Sequence, residues 1–263
     1  MNNTLLSVIT VNLNNAAGLE QTILSVINQG YAPIEYIIID GGSADESKQV
    51  IEKYSGSISY SIAEKDNGIY NAMNKGIAKA TGDYLLFLNS GDTLLEGNPL
   101  EKLMGGGKNA DIIYGNIKMS DVSNSREVLF PKSLSFKFFF INSLPHPCTL
   151  IRKELFNVVG LYRADFKIAA DWAFFVQAIC KYNCSYHYVN VTVANFVLGG
   201  VSSTQLQLIE KERSIIYHEL FPAFVDDYKV MQCNELELNS VKKQIGYRVH
   251  KKVKTIFLKN VKK

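Results

Sequence analysis

Residues 5–11 (LLSVITV) and 34–40 (IEYIIID) are unbroken apolar, β-branched runs, the pattern of strands covered on both faces. Between them Leu19, Ile23, Val26 and Ile27 recur at helical spacing. A strand, a helix and a second strand, with both strands buried on two faces, predict a parallel βαβ unit and hence an α/β fold. Ser43-Ala44-Asp45-Glu46 fits a capping box, with Val50, Ile51 and Tyr54 as the apolar face of the helix that follows. Residues 58–63 then read as a short strand, 69–79 as a helix ended near Gly82, and 84–88 as another buried strand. The alternation weakens after residue 92. Strands are expected at 111–116 and 185–193, helices at 171–182 and 205–220, and the aromatic-rich 136–140 reads as a mobile or surface-packed segment. The fold class expected is a Rossmann-like open, mostly parallel sheet flanked by helices.

With 263 residues, 47% of them apolar, the chain can bury one large core and carry an appendage. We divide it into a domain over 1–220 and a basic helical C-terminal extension over 221–263. Residues 242–263 hold nine of the 28 Lys/Arg and none of the 25 Asp/Glu, so the body is acidic and the tail basic. An acidic body argues against nucleic acid as a partner, because a phosphate-binding surface spreads Lys and Arg over the folded domain. In the tail Ile245, Val249, Val253, Ile256, Phe257 and Val261 alternate with lysines at roughly helical spacing. That pattern suits either docking on an anionic membrane surface through 241–263 or a solvated terminal helix. Cys148, Cys180, Cys184 and Cys233 form no C-x-x-C pair and no disulfide framework. No basic region precedes the first apolar run, and no run approaches the roughly 18 residues of a membrane span. The expected location is cytoplasmic, including a peripheral position on the cytoplasmic membrane face.

In an open parallel sheet, ligands bind outside the carboxyl ends of the strands. Three such ends carry polar groups: Thr10-Val11-Asn12, Asp40-Gly41-Gly42-Ser43 and Asn89-Ser90-Gly91-Asp92. A nucleotide diphosphate needs an acceptor for the base, polar groups for the ribose, and a divalent cation on hard oxygens to neutralise the diphosphate. Asp40 is the candidate for the first and Asp92 for the last, with Asn89 and Ser90 beside the donor. No Gly-x-x-x-x-Gly-Lys-Ser/Thr and no Gly-x-Gly-x-x-Gly follows the first strand, which removes the main support for P-loop and dinucleotide-oxidoreductase readings.

Four segments together resemble glycosyltransferase family 2 with the GT-A fold. They are 7–12 (SVITVN), 37–45 (IIIDGGSAD), 66–76 (DNGIYNAMNKG) and 82–92 (GDYLLFLNSGD). The match runs in order over the first hundred residues and more loosely to about residue 203. The resemblance implies an inverting enzyme of the bacterial polysaccharide type, a hexosyl- or N-acetylhexosaminyl-transferase using Mg2+ or Mn2+. It implies that Thr10 and Asn12 line the nucleotide pocket, that Asp40 meets the base, and that Asp66 and Lys75 flank the ribose or sugar of the donor. Asp92 is then the surviving carboxylate of an Asp-x-Asp metal motif, here reduced to Asn89-Ser90-Gly91-Asp92. Ala170-Asp171-Trp172 resembles the catalytic segment of the family, which makes Asp171 the general base; its alternative is a helix cap. Trp172 either stacks on an acceptor sugar or fills the core, and His146, between two prolines, either lies near acceptor or diphosphate or is a structural loop residue. Gly199-Gly200-Val201-Ser202 is either a loop that orders over the diphosphate or an ordinary turn.

The function expected is transfer of a sugar from a nucleotide diphosphate sugar, UDP-linked in the leading reading, to a glycan or lipid-linked acceptor in surface polysaccharide synthesis. A nucleotidyltransferase would need a basic, Gly-rich first loop, and Asn12-Leu13-Asn14-Asn15 has no Lys or Arg. The alternative from another class is a non-catalytic sugar-nucleotide or glycan-binding subunit, suggested by the depleted acidic turn.

Overall fold

The structure, a computed structural model, describes residues 4–106, 109–121, 123–199 and 205–260. Side chains of residues 244, 245 and 247–260 lie outside that description, as do residues 200–204. The chain forms two compact units, Met1–Arg213 and Ser214–Lys263.

The first unit is built on one sheet. Strands β1 (Leu6–Asn12), β2 (Ile34–Asp40), β3 (Tyr60–Ala63) and β4 (Tyr84–Phe87) are parallel, in the order β3-β2-β1-β4. Every residue of β1 and β4 is buried, as their unbroken apolar runs require. Helices α1 (Ala16–Ile27), α2 (Ser47–Lys53) and α3 (Ile69–Lys79) are the crossovers. The capping box at Ser43 does not form. Ser43 is turned toward Asp40, and the Asp45 carboxylate accepts from the Ser47 N–H (3.1 Å) and hydroxyl (2.5 Å) at the start of α2. Asp45 wins because its short side chain reaches two residues ahead, the usual Asx geometry.

Past residue 92 the sheet becomes mixed. The two-residue β5 (Thr93–Leu94) precedes α4 (Pro99–Gly106), and β6 (Ile112–Ser120), β7 (Ser125–Val128), β8 (Thr149–Arg152) and β9 (Tyr186–Val197) complete the order β4-β8-β6-β9-β5, with β7 on the side of β6. Strand β8 is antiparallel to both β4 and β6, while β6 and β9 run parallel with a register shift near Asn116. The 136–140 segment is an ordered helix, α5 (Phe136–Ile141), capped by Ser135 and buried at Phe139. Helices α6 (Leu155–Val159) and α7 (Ala170–Val176) follow, and α7 continues into a π turn at Gln177–Lys181 instead of running straight to residue 182.

Helix α8 (Leu206–Leu220) ends in the second unit, which otherwise consists of α9 (Pro222–Asn260). Val230, Met231, Leu236, Leu238 and Val241 on α9 are exposed. The apolar tail side chains from Ile245 onward lie outside the described side chains. Among the described residues no helix is long and apolar enough to cross a membrane.

Candidate functional site

The parallel register sets Asn12 beside Asp40 at the carboxyl ends of β1 and β2. Asp40, only 2% exposed, accepts four hydrogen bonds: from the Gly42 and Ser43 N–H groups (3.0 and 2.8 Å), the Ser43 hydroxyl (2.7 Å) and Asn12 Nδ2 (2.6 Å). A carboxylate has about four lone-pair sites, and here they are engaged by the turn and by Asn12. Asp40 therefore shapes the 41–43 turn, at the edge where the contact with the base is expected. Asn12 also donates to Ser43 and Ser47. Thr10 is fully buried, its hydroxyl 3.1 Å from that of Tyr36, so it supports this edge of the sheet.

The acceptor that does face this edge belongs to Asp66. A Cβ placed on Gly41 would lie 2.6 Å from Asp66 Oδ2 and 3.4 Å from Leu13 Cδ1, so the missing side chain is what admits the carboxylate. Asp66 Oδ1 is fixed by the Gly68 N–H at 2.9 Å, and the apolar Leu13 side chain stands exposed alongside. Lys75, on α3, pairs with Glu64 at 2.8 Å; both groups are partly exposed.

The Asn89–Asp92 turn hangs on α1. Ser90 N–H continues the strand ladder to the Val11 carbonyl, and Asn15 Nδ2 donates to the Ser90 carbonyl at 3.0 Å. The Thr22 hydroxyl donates to the Asp92 carbonyl (2.7 Å) and accepts from the Gly91 N–H (2.9 Å). Gly91 has φ +102°, a conformation other residues reach only under strain. The turn thereby turns Asp92 inward, where it is 4% exposed and its Oδ1 accepts from the Val197 N–H of β9 at 3.2 Å. Burial pushes its carboxyl up to about 7, that one hydrogen bond working weakly the other way.

Mg2+ and Mn2+ take six or so hard oxygens. The turn supplies the Asp92 carboxylate and the buried Asn89 Oδ1, which has no partner among the described residues; Asn195 Oδ1, on the residue paired with Thr93, is buried and unpartnered too. No group of three or more His, Cys, Asp or Glu side chains converges among the described residues. This donor set fits a divalent cation held jointly with a diphosphate, and not one caged by protein alone.

Asp171 sits in the first turn of α7, its side chain 25% exposed. The segment before it is clamped: the buried Glu212 carboxylate on α8 accepts from the N–H groups of Lys167, Ile168 and Ala169 at 2.7, 3.0 and 2.9 Å. The Tyr70 hydroxyl, from the first turn of α3, reaches Asp171 Oδ1 at 2.8 Å and the Ile168 carbonyl at 2.5 Å. His146 Nδ1 lies 4.0 Å from Oδ2, while Nε2 is 2.9 Å from the Tyr162 hydroxyl. His146 is buried among the rings of Phe87, Tyr162 and Phe175, and this burial pushes its imidazole below the usual range against the pull of Asp171. Enclosed in this way it backs the carboxylate, the structural one of its two expected readings. Trp172 is a core residue, 1% exposed, with Nε1 donating to the Phe139 carbonyl (2.8 Å) and Arg213 over its ring (4.9 Å). No face is open for sugar stacking.

The residues that reading the sequence leaves unassigned are Thr22, Tyr70, Tyr162 and Glu212. Tyr70 lies inside the 66–76 motif, which is the one signal available. Glu212 carries none, being one acid among several on an amphipathic helix.

Residues 7–160 match the family described as glycosyl transferase family 2. The chain is 29% identical over 213 residues to a PGL/p-HBAD biosynthesis glycosyltransferase of Mycobacterium bovis, covering 78% of this chain and 81% of that one. It is 32% identical over 221 residues to an uncharacterized glycosyltransferase of Mycobacterium tuberculosis, covering 81% and 80%. Among solved structures it resembles S. aureus TarS 1-349 in complex with UDP-GlcNAc, with TM-score 0.60 at 20% identity over 76% of this chain and 60% of that one. It also resembles the Pyrobaculum calidifontis mannosyltransferase PcManGT in complex with GDP-Man and Mn2+, with TM-score 0.54 at 14% identity over 75% and 58%. The chain thus spans about 60% of the length of these solved relatives, and the likeness establishes a shared GT-A-like fold. With a family match over more than half its length, this chain belongs to glycosyl transferase family 2.

Proposed function

We propose that this chain transfers a sugar from a nucleotide diphosphate sugar, with inversion, to a hydroxyl of a glycan or lipid-linked acceptor. The observation that carries the reading is the Asp171 carboxylate. It is partly exposed, sits on a segment clamped by Glu212, and is tied through Tyr70 to α3, the helix that follows Asp66. Inversion requires a base to take the proton of the acceptor hydroxyl as its oxygen attacks the anomeric carbon, opposite the departing diphosphate. Asp171 is that base.

Asp66 Oδ2, over Gly41 and beside Leu13, accepts from a base that presents a ring N–H, as uracil, thymine and guanine do. A UDP-sugar remains the leading donor, in line with the UDP-GlcNAc bound by TarS. Asp92 and Asn89 would hold Mg2+ or Mn2+ together with the diphosphate, and the cation would supply charge neutralisation of the leaving group. Surface polysaccharide synthesis is the proposed setting, with hexosyl or N-acetylhexosaminyl transfer as the chemistry and the basic 241–263 stretch as the candidate contact with anionic lipid. We propose 1–220 as the transferase domain and 221–263 as its extension.

The depleted turn, with its single carboxylate, favours one second reading: a subunit that binds a sugar nucleotide and does not turn it over. A thermal-shift panel of UDP-, GDP- and dTDP-sugars with Mn2+, followed by nucleoside diphosphate release, separates the two. Binding and release support the enzyme; binding without release by any donor and acceptor supports the subunit.

A further inference from the structure

The Tyr70 hydroxyl carries one proton and stands within hydrogen-bond reach of two acceptors, Asp171 Oδ1 and the Ile168 carbonyl. A carboxylate oxygen is the stronger acceptor in kind and the carbonyl is the nearer, so the two compete for that one proton. Tyr70 is buried, and desolvation with the neighbouring Asp171 charge pushes its hydroxyl well above the usual range, so it stays a donor at any working pH. Oδ2 is placed differently: among the described residues it has the His146 ring at 4.0 Å.

We propose that Tyr70 is a positioning residue for Asp171, holding Oδ1 so that Oδ2 is the oxygen that receives the proton of the acceptor hydroxyl. This rests on the reading of Asp171 as the base. In the transfer step the acceptor O–H bond breaks, its oxygen bonds to the anomeric carbon, the bond to the diphosphate breaks, and the proton goes to Oδ2. As Asp171 loses its charge, the Ile168 carbonyl becomes the better partner for the Tyr70 proton, and the hydroxyl is never left unpaired in the buried site. Ile168 belongs to the segment clamped by Glu212, so those three backbone bonds hold one of the tyrosine's acceptors and the chain that leads into Asp171. Tyr70 also stands four residues after Asp66 and two after Gly68, the residue that fixes Asp66 Oδ1. The geometry of the base is thereby built onto the segment proposed to meet the donor.

The test compares Tyr70→Phe, Asp171→Asn and the double variant in the full chain. The donor is the member of the UDP-, GDP- and dTDP-sugar panel that gives the largest thermal shift, and turnover is read as nucleoside diphosphate release by transfer or hydrolysis. Tyr70→Phe is expected to lower kcat about tenfold, the loss of one charge-assisted hydrogen bond, with donor KM within about twofold of wild type. In the Asp171→Asn background the same change should add nothing. Wild-type kcat in Tyr70→Phe, with Asp171→Asn inactive, overturns the positioning role and leaves the base reading standing. An equal loss in both backgrounds also overturns it. Turnover undiminished in Asp171→Asn, or no release from any donor by wild type, overturns the base reading and this inference with it. Should Tyr70→Phe fold poorly, 3-fluorotyrosine at position 70 keeps the shape and strengthens the donor. A changed kcat at an unchanged thermal midpoint then supports the role, and an unchanged kcat overturns it.

Discussion

The turn at Asn89–Asp92 and the segment at 167–171 each deliver one carboxylate, by opposite means. Asp92 is drawn inward by backbone geometry, with a single N–H donor to its carboxylate among the described residues, and burial lifts its carboxyl to about 7. Asp171 is held at its oxygen by a tyrosine hydroxyl, stays a quarter exposed, and rests on backbone that a second acid, Glu212, has organised. A buried, under-solvated carboxylate is suited to meeting a cation that arrives with its ligand; a propped, accessible one is suited to taking a proton. Environment assigns the two acids their proposed roles, as in enzymes whose paired carboxylates do different work.

The largest effect should come from Asp171→Asn, which keeps size and hydrogen bonding but removes the base. Nucleoside diphosphate release should fall by about 10²- to 10⁴-fold while the donor still raises the thermal midpoint; lost donor binding would erase the contrast. Next comes the pH response of Asp92. Its folded value near 7 lies above the ordinary 3.8, so the native state holds the proton more tightly. Without a cation, stability should therefore fall as pH rises from about 4 to about 7, by up to about 4 kcal/mol, and level off above. Urea unfolding of Asp92→Asn should lack that slope, and an unchanged slope would place the titration elsewhere.

Glu212→Gln tests the clamp. It keeps one acceptor oxygen where three N–H groups converge, and should cost about 2–3 kcal/mol in denaturant unfolding. The expected loss of turnover should accompany it even though Glu212 touches no reactant. The smallest effect is expected from Gly41→Ala. The added methyl must displace Asp66 Oδ2, so calorimetry should show donor affinity about tenfold weaker with kcat preserved. Unchanged affinity would return the base contact to another residue.

The parallel half was readable because its strands are covered on both faces and its helices keep one apolar stripe; β2 and α3 fall where the periodicity places them. The mixed half was harder for a physical reason. Strand β8 is four residues long and antiparallel, and its pairing with both β4 and β6 depends on contacts distant in sequence, which leave no local period. At the site, residue types were legible and their orientation was not. Asp40 was legible as a strand-end acid beside two glycines, which is equally a ligand or the hub of a turn, and its four donors become visible only in the fold. Trp172 and His146 each carried two readings, because neighbouring residues do not say which side chain faces solvent; in the fold both are buried.

The clamp on residues 167–169 has a consequence for where this chain tolerates being divided. The family match ends at residue 160 and the last sheet strand at Val197, yet the acid that organises the proposed catalytic segment stands at 212. A protein ending just after β9 would retain every described strand of the sheet. It would have lost the group that fixes the backbone ahead of Asp171. The strands and the group that fixes the backbone ahead of the proposed base therefore have different C-terminal limits here.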